Sequence, residues 1–197
     1  NGNIEIDILN AMEFDASCLG NHEFDNGMDE LARRLGNLNV PVVCANYSFK
    51  GSPLDGLVKP YVILEKAGKK IGIIGLLTDV TSVVDKDIAA QLSYRNPAEA
   101  ANEYAKILKV DQRCDLVICL THLGFDGESY VDTELAAQTR NVDVIVGGHS
   151  HTMLKDLHNV YNLDGESVTI VTDWKWGLNI GNLKVNFTPQ RLYGKYL

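Results

Sequence analysis

The sequence predicts an α/β domain, and three observations predict it. Short apolar runs alternate with segments of helical spacing along the chain. Three of the apolar runs end in clusters of Gly, Asn, Thr and His. The 197 residues are 45% apolar and 22% charged, which is ordinary globular composition and enough for one domain with a real core.

The elements follow in order. Glu5 to Met12 sets Ile8, Leu9 and Met12 on one face of a short helix. Ala16 to Leu19 reads as a buried strand. Gly27 to Leu38 carries Met28, Leu31, Leu35 and Leu38 at helical spacing. Val40 to Ala45 is a strand, and Ser48 to Lys59, with Gly51, Pro53 and Gly56, is a loop. Tyr61 to Glu65 and Lys70 to Leu77 flank Ala67-Gly68-Lys69 as a hairpin. Asn96-Pro97-Ala98-Glu99 is a helix start: Asn96 caps, Pro97 fits the first turn and Glu99 favours the positive helix end. Ala101, Tyr104, Ala105 and Leu108 form the buried stripe of that helix. Leu116 to Leu120 is a strand, Thr133 to Thr139 a helix, and Val142 to Val146 a strand. Val168 to Thr172 and Leu178 to Phe187 read as strands. Residues 1–187 make the domain, and 188–197 read as a tail or linker.

Composition excludes several functions. Asp and Glu outnumber Lys and Arg by 26 to 18, for a net charge of −8, so the chain lacks the basic face of a duplex nucleic-acid binder. No run approaches the roughly 20 apolar residues that span a bilayer. The start, Asn1-Gly2-Asn3-Ile4-Glu5, has neither the basic nor the apolar region of a signal peptide. Cys18, Cys44, Cys114 and Cys119 include no C-x-x-C pair, and three sit in apolar runs, as buried small hydrophobes do. A disulfide between neighbouring strands is the alternative.

The chemistry gathers at three strand ends. Ala16–Leu19 runs into Gly20-Asn21-His22-Glu23. Leu116–Leu120 runs into Thr121-His122. Val142–Val146 runs into Gly147-Gly148-His149-Ser150-His151. In α/β sheets, ligand sites form just beyond the carboxyl ends of strands. Three such clusters predict one shared site. Imidazoles converging without a basic patch point to a metal, since neutral His ligates Zn, Mn, Fe and Ni. Asn21 adds an oxygen ligand. On a strand end His149 and His151 would face one side; on a turn they would straddle two ions. Asp25, three residues after His22, can orient its ring if that stretch begins a helix. Other features read as ordinary. His158 is a surface side chain, and Asp156-Leu157-His158 lies in a polar connection. Trp174 and Trp176 are at period two, so one packs inward. Asn46-Tyr47-Ser48 and Asn186-Phe187-Thr188 match a glycosylation pattern too short to carry an argument.

The ordered set GNHEFDNG (Gly20 to Gly27), THLG (Thr121 to Gly124) and GGHSH (Gly147 to His151) resembles the calcineurin-like metallophosphoesterases. It is most similar to the amino-terminal catalytic domain of the bacterial 5′-nucleotidase and UDP-sugar hydrolase family, with the 2′,3′-cyclic phosphodiesterases close by. The similarity runs from about residue 4 to about residue 187. It implies a four-layer α/β/β/α sandwich with two divalent ions (Mn, Zn, Fe or similar) bridged by an aspartate. It implies that Asn21, His122 and His149 bind one ion and His151 the other. His22 resembles the catalytic histidine that acts on the leaving group, and Asp25 its dyad partner. The implied reaction is release of phosphate from a nucleotide by a metal-activated hydroxide.

The chain departs from the family at two earlier motifs. It contains no Gly-Asp pair, and its only D-x-H, Asp156 to His158, is out of order. The expectation is a catalytic domain incomplete at its N-terminus, holding one ion or none. The resemblance also implies a C-terminal nucleotidase domain, in cis or as a separate chain, and a periplasmic or cell-surface setting. The missing motifs motivate a second reading, a non-catalytic domain of the same fold used for binding or scaffolding. A structural zinc module is disfavoured, because such sites prefer Cys and no cysteine adjoins these histidines.

Overall fold

The computed structural model describes residues 3–81, 84–127 and 129–187. The expected tail at 188–197 lies outside them. Helix α1 (Asn3–Met12) leads into β1 (Ser17–Cys18), a 3-10 turn at Asn21–Phe24 and α2 (Met28–Leu35). The strands β2 (Val42–Val43), β3 (Tyr47–Ser48) and β4 (Val58–Lys59) follow. The hairpin is β5 (Tyr61–Lys66) and β6 (Lys69–Leu77), turned by Ala67 at φ 51° and Gly68 at φ 73°. These are the two left-handed residues that a tight hairpin turn needs. Next come α3 (Lys86–Ala89), β7 (Ser93–Tyr94) and α4 (Pro97–Lys106), which ends in a π-turn at Ile107–Asp111. The chain closes with β8 (Leu116–His122), α5 (Asp132–Gln138), β9 (Val144–Val146), β10 (His158–Tyr161) and β11 (Ser167–Val171).

The layers follow from where apolar faces meet. The larger sheet has six strands in the order β10-β11-β9-β8-β6-β5, parallel from β11 to β6 with an antiparallel strand at each edge. Helices α4 and α5 cover one face of it, and their Ala101, Ala105, Leu135 and Ala136 share a core with Ile74, Val117, Cys119 and Ile145. Strands β1, β2 and β4 form a parallel three-stranded sheet. That sheet lies against β6 and β8 of the larger one. Its outer face carries a second core, where Met28 and Leu31 of α2 meet Leu19, Val42 and Cys44. The order is therefore helix, sheet, sheet, helix, the expected four layers.

The structure corrects five sequence expectations, one of them the inward-packing tryptophan: Trp174 and Trp176 are both exposed. The segment Ser48–Lys59 is not all loop, because β3 pairs with β7 and β4 extends the three-stranded sheet. Leu178–Phe187 forms no strand: it finds no ladder partner among the described residues, and Leu178 and Ile180 stand 60% and 92% exposed. An alternating pattern makes a strand only when a sheet edge is there to receive it. In α1 the inward side is Ile6 and Leu9, whereas Ile8 and Met12 face outward with Ile4. His158 begins β10 instead of lying in a connection, and its ring meets Phe125 edge-on at 5.0 Å. All four cysteines are free thiols; three are buried and Cys18 half-buried, the small-hydrophobe reading.

Candidate metal and catalytic site

The three predicted strand ends come to one place. Asn21 follows β1, His122 is the last residue of β8, and the Asn21 Oδ1 to His122 Nε2 distance is 2.9 Å across 101 positions of sequence. His149 follows β9, and its ring centroid lies 4.8 Å from that of His122. The approach of His122 depends on Gly20. A Cβ there would stand 3.1 Å from the His122 ring and 2.7 Å from Glu23 Oε2. Glu23 Oε2 instead accepts the Gly20 N–H at 2.8 Å and closes the 3-10 turn.

That turn settles the geometry of the next pair. Three residues of 3-10 helix complete one turn, so His22 and Asp25 stack on one side. His22 Nδ1 is 2.9 Å from Asp25 Oδ2, and both side chains are exposed. A cavity of about 560 Å³ opens beside them, with Cys18, Glu23, Asn26 and Arg34 in its wall.

The segment after β9 is a turn, not a strand continuation. His149 has φ 81° and His151 φ 55°. The left-handed region is costly for residues with a Cβ, and such strain persists only where the surroundings hold it. Here the loop after β8 holds it. Ser150 Oγ accepts the Phe125 N–H at 3.0 Å and shares a 2.7 Å hydrogen bond with Thr152 Oγ1, which donates to Asp126 Oδ1 at 2.6 Å. These bonds tether Ser150 and Thr152, which flank His151 and follow His149.

Electrostatics keeps the inner rings neutral. Burial first, then the neighbouring His149, His22 and His151, push the His122 pKa down to about 4. Burial, with His151 and His22, lowers that of His149 too. At neutral pH both rings are free bases with a lone pair to offer, which is the state that ligates a metal.

These residues fit one divalent ion in part. Asn21 Oδ1 and His122 Nε2, hydrogen-bonded at 2.9 Å, bring an oxygen and a nitrogen donor to one place. Two imidazoles and an amide oxygen are a borderline-to-hard donor set. A carboxylate is what they lack: among the described residues no three His, Cys, Asp or Glu groups come together as a ligand set. His151 belongs to the cluster but is exposed.

Sequence reading missed the residues that support the site: Glu23, Asp126, Asp132, Ser150 and Thr152. Asp132 is fully buried and accepts the Thr121 hydroxyl at 2.6 Å. As the acid that opens α5, in sequence it looks like any acidic residue in a first helical turn. Glu23 and Ser150 carried a signal, because each stands in a His-bearing strand-end cluster.

The family model for calcineurin-like phosphoesterases matches residues 4–153. A probable 5′-nucleotidase of Treponema pallidum (strain Nichols) is 33% identical over 201 residues, covering 94% of this chain and 33% of that protein. The 5′-nucleotidase of Bos taurus is 34% identical over 196 residues, covering 91% of this chain and 33% of that protein. Among solved structures, the 5′-nucleotidase precursor of Thermus thermophilus superposes with a TM-score of 0.82 at 33% identity, over 89% of this chain and 36% of that one. The chain thus spans about a third of the length of the curated relatives it matches.

Proposed function

The chain belongs to the calcineurin-like phosphoesterase family, and from that premise we propose that it forms part of the catalytic domain of a metal-dependent phosphoester hydrolase. Its type is the 5′-nucleotidase, which removes phosphate from nucleotides. The observation that carries this reading is the convergence of Asn21, His122 and His149 beside the hydrogen-bonded pair His22–Asp25.

Asn21 Oδ1, His122 and His149 would hold one divalent ion, and His151 would face a second. A bound divalent ion supplies Lewis acidity toward a phosphoryl oxygen and lowers the pKa of water. It also supplies the positive charge that a chain of net charge −8 lacks. The rest falls to the chain's own side chains. Asp25 holds Nδ1 of His22, so Nε2 is the nitrogen that faces outward to the substrate. There it stabilises charge on the departing oxygen or delivers a proton to it. The carboxylate of Asp25 offsets the charge of the ring while it carries that proton.

The relatives' name supports a nucleotide as substrate. A further nucleotidase domain, in cis or as a separate chain, would supply the nucleoside contacts, in keeping with the third of the relatives' length that this chain spans. Residues 1–187 would be the catalytic part, and the setting the periplasm or the cell surface. Among the described residues no helix is long and apolar enough to cross a membrane.

One observation favours a second reading, a binding or scaffolding domain of the same fold: no carboxylate joins the imidazoles among the described residues. Two measurements separate the readings. Native mass spectrometry counts Mn²⁺ or Zn²⁺ bound per chain, and phosphate release from nucleoside monophosphates is followed with and without EDTA. Release that EDTA abolishes is the expected result in the full-length protein. Bound metal with no phosphate released from any nucleotide would leave the scaffold reading standing.

A further inference from the structure

One buried carboxyl takes no part in the proposed reaction. Asp132 is 0% exposed, and its Oδ1 accepts the Thr121 hydroxyl at 2.6 Å. Its backbone N–H donates to Gly124 O at 2.7 Å, which anchors the start of α5 to the loop after β8. Its Oδ2 is buried with no hydrogen-bond partner among the described residues. That oxygen is not idle in space. It fills the volume where Gly147 has no Cβ, and a methyl group on Gly147 would overlap it. Gly147 is outside the left-handed region, so its lack of a side chain answers to this contact and not to backbone conformation.

The two contacts fall on two different ligand-bearing strands. Thr121 immediately precedes His122 at the end of β8. Gly147 follows β9 and stands two residues before His149. We propose that Asp132 is a positioning residue: its carboxyl, wedged between Thr121 and Gly147, fixes the spacing of the two strand ends and so the placement of the His122 ring against the His149 ring.

A purely stabilising role does not account for the site. A buried carboxyl with an unsatisfied oxygen costs free energy. Its burial also pushes the group up to about 7. What the carboxyl adds is a short directional bond to Thr121 together with a hard contact on Gly147. Imidazoles that act on one ion must be held within about half an ångström, and groups behind them are what hold them.

The catalytic weight of this inference rests on the phosphoester-hydrolase reading; its geometry does not, and it is tested without activity. The imidazole signals of His122 and His149 are recorded by ¹H–¹⁵N and ¹H–¹³C NMR on the 197-residue chain, with no metal added. Asp132→Ala should shift both rings. Asp132→Asn, which keeps an acceptor for Thr121 and the same volume at Gly147, should leave both near their wild-type positions. Gly147→Ala should shift both rings, and Asp132→Ala/Gly147→Ala should return them most of the way, because the new methyl takes the vacated volume. Leu135→Ala, a core truncation in the same helix, should lower the thermal midpoint without moving the rings. Shifts that simply add in the double variant, or equal shifts in Leu135→Ala, overturn the proposal. If Asp132→Ala does not fold, Gly147→Ala alone decides: unmoved rings there sink it. Should the rings behave as stated while the full-length protein cleaves no nucleotide, the positioning role stands and the hydrolase reading falls.

Discussion

Two histidines a short distance apart play different parts because their surroundings differ. His122 is half-buried against Asn21 and His149, whereas His22 projects into solvent on Asp25. On the proposed reading the first serves as a neutral ligand and the second acts on the leaving group. His22→Ala in the full-length protein should therefore cut turnover by about 10²–10⁴ while metal content stays unchanged. Loss of metal together with activity would refute that division. The titrations of Asp132 and His122 oppose each other. Asp132 binds its proton up to about pH 7 when folded but only to about pH 3.9 when unfolded. Its contribution is full below that lower value, and stability falls as pH rises from about 4 to about 7. His122, depressed to about 4, loses stability as pH falls from about 6.5 toward 4. Asp132→Asn removes only the first slope. Its thermal midpoint relative to wild type should climb between pH 4 and 7, by the equivalent of a few kcal/mol at most. A difference that is flat across that window would show that the carboxyl is ionised in the fold. Legibility at this scale was uneven. The meeting of Asn21, His122 and His149 was readable because each stands at or just past the end of a strand and the three ends share one pattern. Asp132 was not, because burial is a property of the tertiary structure and an acidic residue opening a helix looks the same whether wet or dry.

Among the elements, those with local chemistry were readable and those that need a partner were not. The start of α4 follows from Asn96, whose Oδ1 accepts the N–H groups of Ala98 and Glu99 at 2.8 and 3.2 Å, with Pro97 in the first turn. The β5–β6 turn follows from Ala67-Gly68. Strands β3, β4 and β7 have two residues each, too few for a period to show, and they exist because a neighbour is already in place. The segment Leu178–Phe187 is the converse, a good alternating pattern left without an edge. The cap has a measurable weight. Asn96→Ala should lower unfolding free energy by about 1 kcal/mol, with Asn96→Ser nearly neutral, read from urea denaturation midpoints. Equal losses in the two variants would place the stabilisation somewhere other than the cap hydrogen bonds. A second element-level contact holds β6 in position. Asn46, fully buried, donates to Leu77 O at 2.7 Å and accepts from Leu77 N at 2.9 Å, and Leu77 sits in register with His122. Asn46→Ala strands two buried backbone groups and should cost roughly 2–5 kcal/mol, seen as a lowered urea midpoint. A loss below about 1 kcal/mol would mean that water replaces the amide.

The whole molecule has two cores, one on each outer side of the paired sheets, and the question is whether they unfold as one. The segment from Ala45 to Tyr47 argues that they do. Ala45 N donates to Gly75 O at 2.7 Å, Asn46 grips Leu77, and Tyr47 donates its hydroxyl to Thr78 O at 2.9 Å while accepting from Val80 N at 2.9 Å. These bonds run from the end of β2 to the end of β6, so they tie the three-stranded sheet to the six-stranded one at the edge where the candidate site lies. Neither sheet can leave without unpairing buried groups that also frame the other core. The chain should then melt in a single calorimetric transition, with calorimetric and van't Hoff enthalpies equal. Leu54→Ala in the α2-side core and Ile145→Ala in the helix-α4 side core each remove a fully buried side chain. Each should cost about 2–5 kcal/mol and lower that same transition by roughly 5–15 °C. A scan that splits into two peaks in either variant would show that the cores are separable, and that the strand ends bearing Asn21 and His122 meet without depending on each other's fold.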